Sequence, residues 1–338
     1  MTISRSRLLR GTAAASAFAS IGVLRWPASA AQFSFKLASD QVVTHPMTTT
    51  SAAAAKRIAD ATGGQIDIRL FPNSALGSDP QMLAQARSGA IELLQIGNNV
   101  LGSVIPASAL LNIPFAFRGE QEFMRAANGP LGSYVAAAAA TIGMRQFAAA
   151  FYGGTFQIEN GLRPIAAPGD LKGMKIRVPP GPLDVATFKA FGASPTVISL
   201  AEVYPSLMTH LVDGVEVPLP TLQNFKLYEQ TRYCAMTNHY GLAYFVLANG
   251  AAWQQLPKNL QALVEREFAL AATEASRMFA DQERLIAATL EREGVTFTHP
   301  ESEPFRAIVR GTGLYAQWRK QFDPAGWQEL EKTTGPLG

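Results

Sequence analysis

One cysteine in 338 residues, Cys234, leaves this chain unable to form an internal disulfide, and no cysteine pair is available to hold zinc or an iron–sulfur cluster. A lone cysteine reads most simply as a small buried apolar residue. Histidine is nearly as scarce: His45, His210, His239 and His299 are scattered, and no two have the i, i+4 spacing of a metal site on one helix. There is no H-E-x-x-H, no G-x-S-x-G, no Walker loop and no G-x-G-x-x-G after a strand. The common signatures of zinc and serine hydrolases, ATPases and dinucleotide-dependent enzymes are therefore missing. The one nucleophile beside a base, Cys234 with His239, is separated by five residues of an extended segment, which points the two side chains to opposite faces of a strand. Charged residues make up only 16% and hydrophobic ones 48%, ordinary for a globular chain long enough for two cores.

The first thirty residues read as an export leader. Arg5, Arg7 and Arg10 precede the uncharged run 11–24, which is too short to span a bilayer, and Pro27 with Ala28-Ser29-Ala30 makes a small-residue cleavage site. The mature chain is expected to begin near Ala31. "SRSRLLR" approaches a twin-arginine signal but has Ser6 where the second arginine belongs, so the general and twin-arginine routes both stay open. The leader holds four arginines and no acid, so its removal lowers Lys+Arg from 29 to 25 against 26 Asp+Glu. The basic balance belongs to the leader. With no basic patch carrying interleaved aromatics, nucleic acid is not an expected partner.

Beyond the leader, one order of elements occurs twice. Residues 33–39 read as a strand, 46–62 as a helix closed by Gly63-Gly64, 65–71 as an alternating strand, 80–88 as a helix and 90–96 as a strand. At "MKIRVP" the order restarts: this strand, a helix over 182–191 ended by Gly192, the strand "PTVIS", a helix over 201–212 and the strand "VEVPLP". The run "AAAAAT" at 136–141 reads as an alanine-rich helix. Two such units predict two α/β lobes, with a ligand cleft at the C-terminal ends of the strands. Residues 257–293 carry Leu260, Val264, Phe268, Ala271, Ala275, Met278, Leu285 and Leu290 at roughly helical spacing. They form either one helix of about 55 Å that bridges the lobes or two helices broken near Ala280.

Arg177 stands at the end of the strand "MKIRVP", where a buried guanidinium needs an anion. Its planar fork suits a carboxylate held by two hydrogen bonds. From spacing alone, a bound carboxylate and a structural ion pair with an acid such as Glu216 are equally good readings.

Several stretches, taken in order, carry a resemblance: "GGQIDIRLFPNSALGSD", "LLNIPFAFR", "PGDLKGMKIRVP", "GASPTVISLAEVYPSLMTHLVDGVEVP" and "TNHY". Together they resemble the solute-binding proteins of the tripartite ATP-independent periplasmic (TRAP) transporters. The resemblance implies an α/β clamshell of two lobes, each a mixed sheet flanked by helices, with a long C-terminal helix bridging them. Lobe one would comprise residues 31–154 and 243–282, and lobe two 155–242 with 283–338 and the C-terminal helices, hinged near 154 and 243. It further implies a periplasmic, non-catalytic protein without a cofactor and without membrane insertion once the leader is gone. Such a protein captures a small organic carboxylate by lobe closure and delivers it to sodium-driven permease subunits. By the same resemblance Arg177 binds the carboxylate. Glu216 is expected to orient it, Tyr152, Phe156, Val217 and Tyr240 to wall the cleft, and Asn98 and His45 to reach it from lobe one.

Two departures bear on the ligand. Where many members have an arginine in G-x-R, "GGTFQI" has Phe156, and where D-G-x-E-N-P supplies an asparagine, "DGVEVP" has Val217. The far part of the cleft is thus expected to be apolar, favouring an apolar or aromatic monocarboxylate over a sugar acid or dicarboxylate. The rival readings are a binding protein that serves a sensor kinase and an exported enzyme on the same architecture.

Overall fold

Short apolar runs bounded by turns give eleven strands in one mixed sheet within residues 31–337, the part of the chain this computed structural model describes; the expected export leader lies outside the described residues. In chain order the first five are β1 (Phe33–Ser39), β2 (Ile66–Phe71), β3 (Leu93–Gly97), β4 (Met144–Gln146) and β5 (Phe151–Asn160). The rest are β6 (Lys175–Val178), β7 (Ser194–Val197), β8 (Gly214–Pro218), β9 (Tyr233–Ala235), β10 (Gly241–Asn249) and β11 (Thr296–Thr298). The order across the sheet is β2-β1-β3-β10-β5-β8-β6-β7, with β4 on β10 and β9 pairing both β5 and β11.

The two repeated units are the two parallel portions. β1 pairs in parallel with β2 and β3, and β6 with β7 and β8. Helices Pro46–Ala61 and Asp79–Ser88 make the crossovers of the first unit, Asp184–Ala190 and Val203–Met208 those of the second. Helix Asp79–Ser88 starts from a capping box in which the Ser78 amide donates to Gln81 Oε1 at 2.8 Å, and it ends at Gly89 with φ 83°.

The repeat pattern did not contain β5 and β10, the antiparallel strands that join the two portions. β5 pairs with β10 through Phe151, Tyr152, Gly154 and Thr155, then with β8 from Phe156 to Asn160. One strand therefore serves both halves, switching partners between Thr155 and Phe156. The β5–β10 ladder slips register between Leu242, paired with Gly154, and Ala243, paired with Tyr152, leaving Gly153 as the extra residue. Gly154 has φ +98°, and a Cβ there would lie 2.8 Å from Pro218 Cβ and 3.2 Å from Phe279 Cε1. A second-half residue and the long helix thus both close on this glycine.

That helix runs unbroken from Lys258 to Arg292, 35 residues or about 52 Å. Leu260, Val264, Phe268, Ala271 and Ala275 share a core with Phe35, Leu37, Met47 and Ile58, whereas Ile286 and Leu290 share one with Val215, Val217 and Leu222. The helix bridges the two halves of the sheet. Met278 and Leu285, counted with its apolar stripe, are in fact exposed, at 37% and 69%. Among the described residues no helix is long and apolar enough to cross a membrane.

The C-terminal helices depart from the expected grouping. Phe305, on helix Ser302–Gly311, meets Phe191 edge-on at 5.3 Å in the second half. Helix Pro324–Thr334 instead packs on Glu120–Ala127 and Pro130–Thr141, where Trp327 and Leu330 join Leu110, Leu131 and Val135. Gly326 permits this seat, since a Cβ there would lie 2.6 Å from the Tyr134 ring.

Candidate functional site

Residues at the C-terminal ends of β1 and β3, and of β6, β7 and β8, line one cavity of about 30 Å³, room for about two waters. The first half contributes Asp40 and Gln41 just after β1, Asp79 at the head of its helix, Asn99 after β3, and Leu242 and Tyr244 of β10. From the second half come Phe156, Arg177, Leu200, Val217 and Thr221.

Arg177 is 3% exposed, and its Nε donates to the Ile198 carbonyl at 2.8 Å. Among the described residues its guanidinium makes no other hydrogen bond and no ion pair. The structural pair with Glu216 is therefore not formed. Burial works against the charge of Arg177, while Glu216, Asp79, Asp184 and Asp40, in that order, support it.

The first-half wall is acidic. Burial pushes the Asp79 carboxyl up to about 6 against the pull of Arg177, and burial together with the Asp79 charge holds Asp40 well above the usual carboxylate range. Tyr244 donates its hydroxyl proton to Asp40 Oδ2 at 3.1 Å, and Gln41 Nε2 donates to the same hydroxyl at 2.5 Å. A phenol has one proton to give, so the Gln41 amide must be the donor in the second contact. Asp40 Oδ1 and Gln41 Oε1 are left buried without a partner.

Of the residues expected at the site, Arg177, Phe156 and Val217 line the cavity; the other five do not. Glu216 neighbours Val217 on β8, and successive strand residues face opposite ways. Its Oε2 lies 2.7 Å from His239 Nε2, while Thr237 Oγ1 lies 2.8 Å from His239 Nδ1. Burial holds His239 neutral, with its value pushed down to about 3, so one ring nitrogen carries the proton and the other accepts along this Thr237–His239–Glu216 chain. Glu216 thus belongs to a buried network behind the sheet and does not orient Arg177. Tyr240 stacks edge-on behind Phe156 at 6.1 Å. Tyr152 bonds Thr155 Oγ1 through its hydroxyl at 3.0 Å and faces a separate groove of about 700 Å³ bordered by Arg118, Glu120 and Asn238. Asn98 caps the β10 backbone, its Oδ1 accepting from the Ala243 amide at 2.9 Å, and its neighbour Asn99 reaches the cavity instead. His45 is the N-cap of Pro46–Ala61, its Nδ1 accepting from the Met47 amide at 3.2 Å and its ring packed 5.3 Å from Phe279.

Asp40, Gln41, Asp79, Asn99 and Tyr244 were missed. Asp40 and Gln41 carried a usable signal, because they follow a parallel strand's C-terminal end, the same position that singled out Arg177. Asp79 lies in the matched stretch "NSALGSD", where it reads as a turn residue. The expectation of an apolar far wall fits the second half of the sheet, with Phe156, Val217 and Leu200, but not the first, where polar strand-end residues converge. Cys234 and His239 have different partners: the thiol lies 3.8 Å from Glu159 Oε1, and burial raises it. No group of three or more metal-ligating side chains exists among the described residues.

The buried carboxyls away from the cavity give a pH signature. Burial is the largest cause raising Glu216, to about 8, and it also raises Asp184 and Glu159. Each binds its proton more tightly folded than unfolded. Their contribution to stability is full below the unfolded value, near 4.5 for a glutamate, and is lost as pH rises through the folded one, about 8 for Glu216. The melting temperature should fall by about 5 °C between pH 5.5 and 8.5, and Glu216→Gln should flatten the slope. A melting temperature that rises across this window would contradict the assignment.

Residues 39–321 match the family model of bacterial extracellular solute-binding proteins, family 7. The chain is 31% identical over 226 residues to the 2,3-diketo-L-gulonate-binding periplasmic protein YiaO of Escherichia coli, covering 67% of this chain and 69% of that protein. It is 29% identical to the sialic acid-binding periplasmic protein SiaP of Vibrio cholerae, covering 80% and 83% respectively. A TRAP periplasmic solute-binding protein from Roseobacter denitrificans, solved with bound β-D-glucuronate, superposes with a TM-score of 0.85 at 25% identity. That match covers 89% of this chain and 99% of the other.

Proposed function

Because the chain belongs to the bacterial extracellular solute-binding proteins of family 7, the binding components of TRAP transporters, we propose that it captures a small monocarboxylate at Arg177 and hands it to a sodium-driven permease. The observation that carries this reading is the buried guanidinium itself, which spends one nitrogen on Ile198 and offers its terminal nitrogens to the cavity. A carboxylate fits that fork with two charge-assisted hydrogen bonds. Both halves of the sheet line the cavity, so a ligand bound at Arg177 would be held between its two walls, and capture is by closure of those walls on it. Closure follows from differential affinity, since only the closed form lets both walls touch one ligand. The lobes are residues 31–154 with 243–282, and 155–242 with most of the remainder, hinged where β5 and β10 cross.

The hydrocarbon part of the ligand lies against Phe156, Val217 and Leu242. These side chains offer sugar hydroxyls no partner, and each hydroxyl buried without one costs about 1–3 kcal/mol. The relatives named for diketogulonate, sialic acid and glucuronate are matched in fold and family, and the ligand proposed here differs in carrying an apolar body. A thermal-shift panel on the mature protein tests this. Branched-chain oxo acids, arylacetates, benzoate, cinnamate and pentanoate should include clear stabilisers, by an amount that grows with ligand concentration. Glucuronate, sialate and succinate should give none, and bound acid should be recovered unchanged after denaturation. The opposite ranking, or a chemically altered acid, would overturn the proposal.

A further inference from the structure

Resting on the carboxylate reading of Arg177, we infer that the ligand also carries a cationic nitrogen, and that Asp40, Gln41 and Asp79 form the acceptor cradle for it. The ligand class is then a small amino acid whose ammonium and carboxylate are separated by an apolar stretch. The first-half wall has more acceptors than donors. The Tyr244 proton is committed to Asp40 Oδ2 and one of the two Gln41 amide protons to Tyr244, while Asp40 Oδ1 and Gln41 Oε1 are buried and unpartnered. Asp79, 4% exposed, makes no side-chain hydrogen bond or ion pair among the described residues, and it too lines the cavity. An ammonium has three protons and no acceptor, which is the complement of such a wall. Asn99 and Thr221, also at the cavity, can donate or accept and bias neither way.

Charge points the same way. With Asp40 held toward its neutral form, the Arg177 guanidinium and the Asp79 carboxylate leave the cavity without net charge. A simple carboxylate would bring one negative charge into a buried space, whereas a zwitterion brings none in excess and sets each of its charges against its opposite. A hydroxyl could satisfy the acceptors but would not offset the charge.

Titration calorimetry at pH 7.5 with matched acids separates these cases. The probes are 4-aminobutanoate and 5-aminopentanoate, the hydroxy acids of the same lengths, and butanoate and pentanoate. At least one amino acid should bind 30-fold or more tighter than both its hydroxy and its unsubstituted counterparts, and Asp79→Asn should cut that preference at least tenfold. In wild type, repeating the titration in buffers of different ionisation enthalpy should show the unsubstituted acid taking up close to one proton and the amino acid far fewer, a readout that needs no variant. If unsubstituted or hydroxy acids bind as tightly as the amino acids, the cradle is misassigned while the carboxylate reading stands. If no monocarboxylate of any kind binds, the carboxylate reading fails and this inference falls with it.

Discussion

Arg177→Ala should weaken binding of the best acid found by about 30-fold to several thousand-fold, the equivalent of about 2–5 kcal/mol for removing one partner of a desolvated, hydrogen-bonded charge pair. The size of the effect follows from burial. At 3% exposure the guanidinium would meet a bound carboxylate where water cannot substitute, and truncation would leave a ligand anion beside Asp79 with no cation. Arg177→Lys should recover only part of the loss, because a point charge cannot reproduce the fork and cannot keep the Ile198 bond in the same geometry. The fold should survive both changes, as circular dichroism would verify. Calorimetry that placed Arg177→Ala within about threefold of wild type, under about 1 kcal/mol, would move the anchor elsewhere.

Gly154→Val should be the most damaging single change at the crossing of the two halves. At φ +98° an L side chain costs about 1–2 kcal/mol, and a Cβ 2.8 Å from Pro218 and 3.2 Å from Phe279 adds about 1–3 kcal/mol of overpacking. Neither neighbour can retreat cheaply, since Pro218 ends a fully buried strand and Phe279 packs against both His45 and Tyr152. The melting temperature should drop by about 5–10 °C. Gly169→Ala is the control, because nothing lies within 4 Å of a Cβ there and its φ is ordinary. If the two variants melt together, the crossing is not packed as described.

The parallel units were legible because their alternation of strand and helix is written in local periodicity: the strand read at 33–39 is β1 residue for residue, and the 46–62 helix ends within one residue. β5 and β10 were not, because "FYGGTFQIEN" and "GLAYFVLAN" owe their pairing to partners far away in the chain. The same distinction divides the site. Arg177 announces itself as a charge in an apolar strand, whereas Asp79 looks like any helix-opening acid until β6 is brought opposite. Glu216 misled for a local reason. It is one residue from a true wall position, and the two-residue period of a strand sends it to the other face. Asn98 failed by the same margin of one.

β5, β10 and the Lys258–Arg292 helix cross between the two halves of the sheet, and the chain crosses a fourth time between helices Ser302–Gly311 and Pro324–Thr334, an arrangement that would restrict how two lobes could move. A single tether would leave three independent rotations. Two strands held side by side by the Gly241 and Thr155 pairing cannot twist about one another without breaking it, and a helix anchored in both cores resists sideways sliding. Under the closure proposed above, what remains would be close to one rotational coordinate. A ligand that shut such a joint would immobilise that coordinate alone, leaving most of its contact free energy in the dissociation constant.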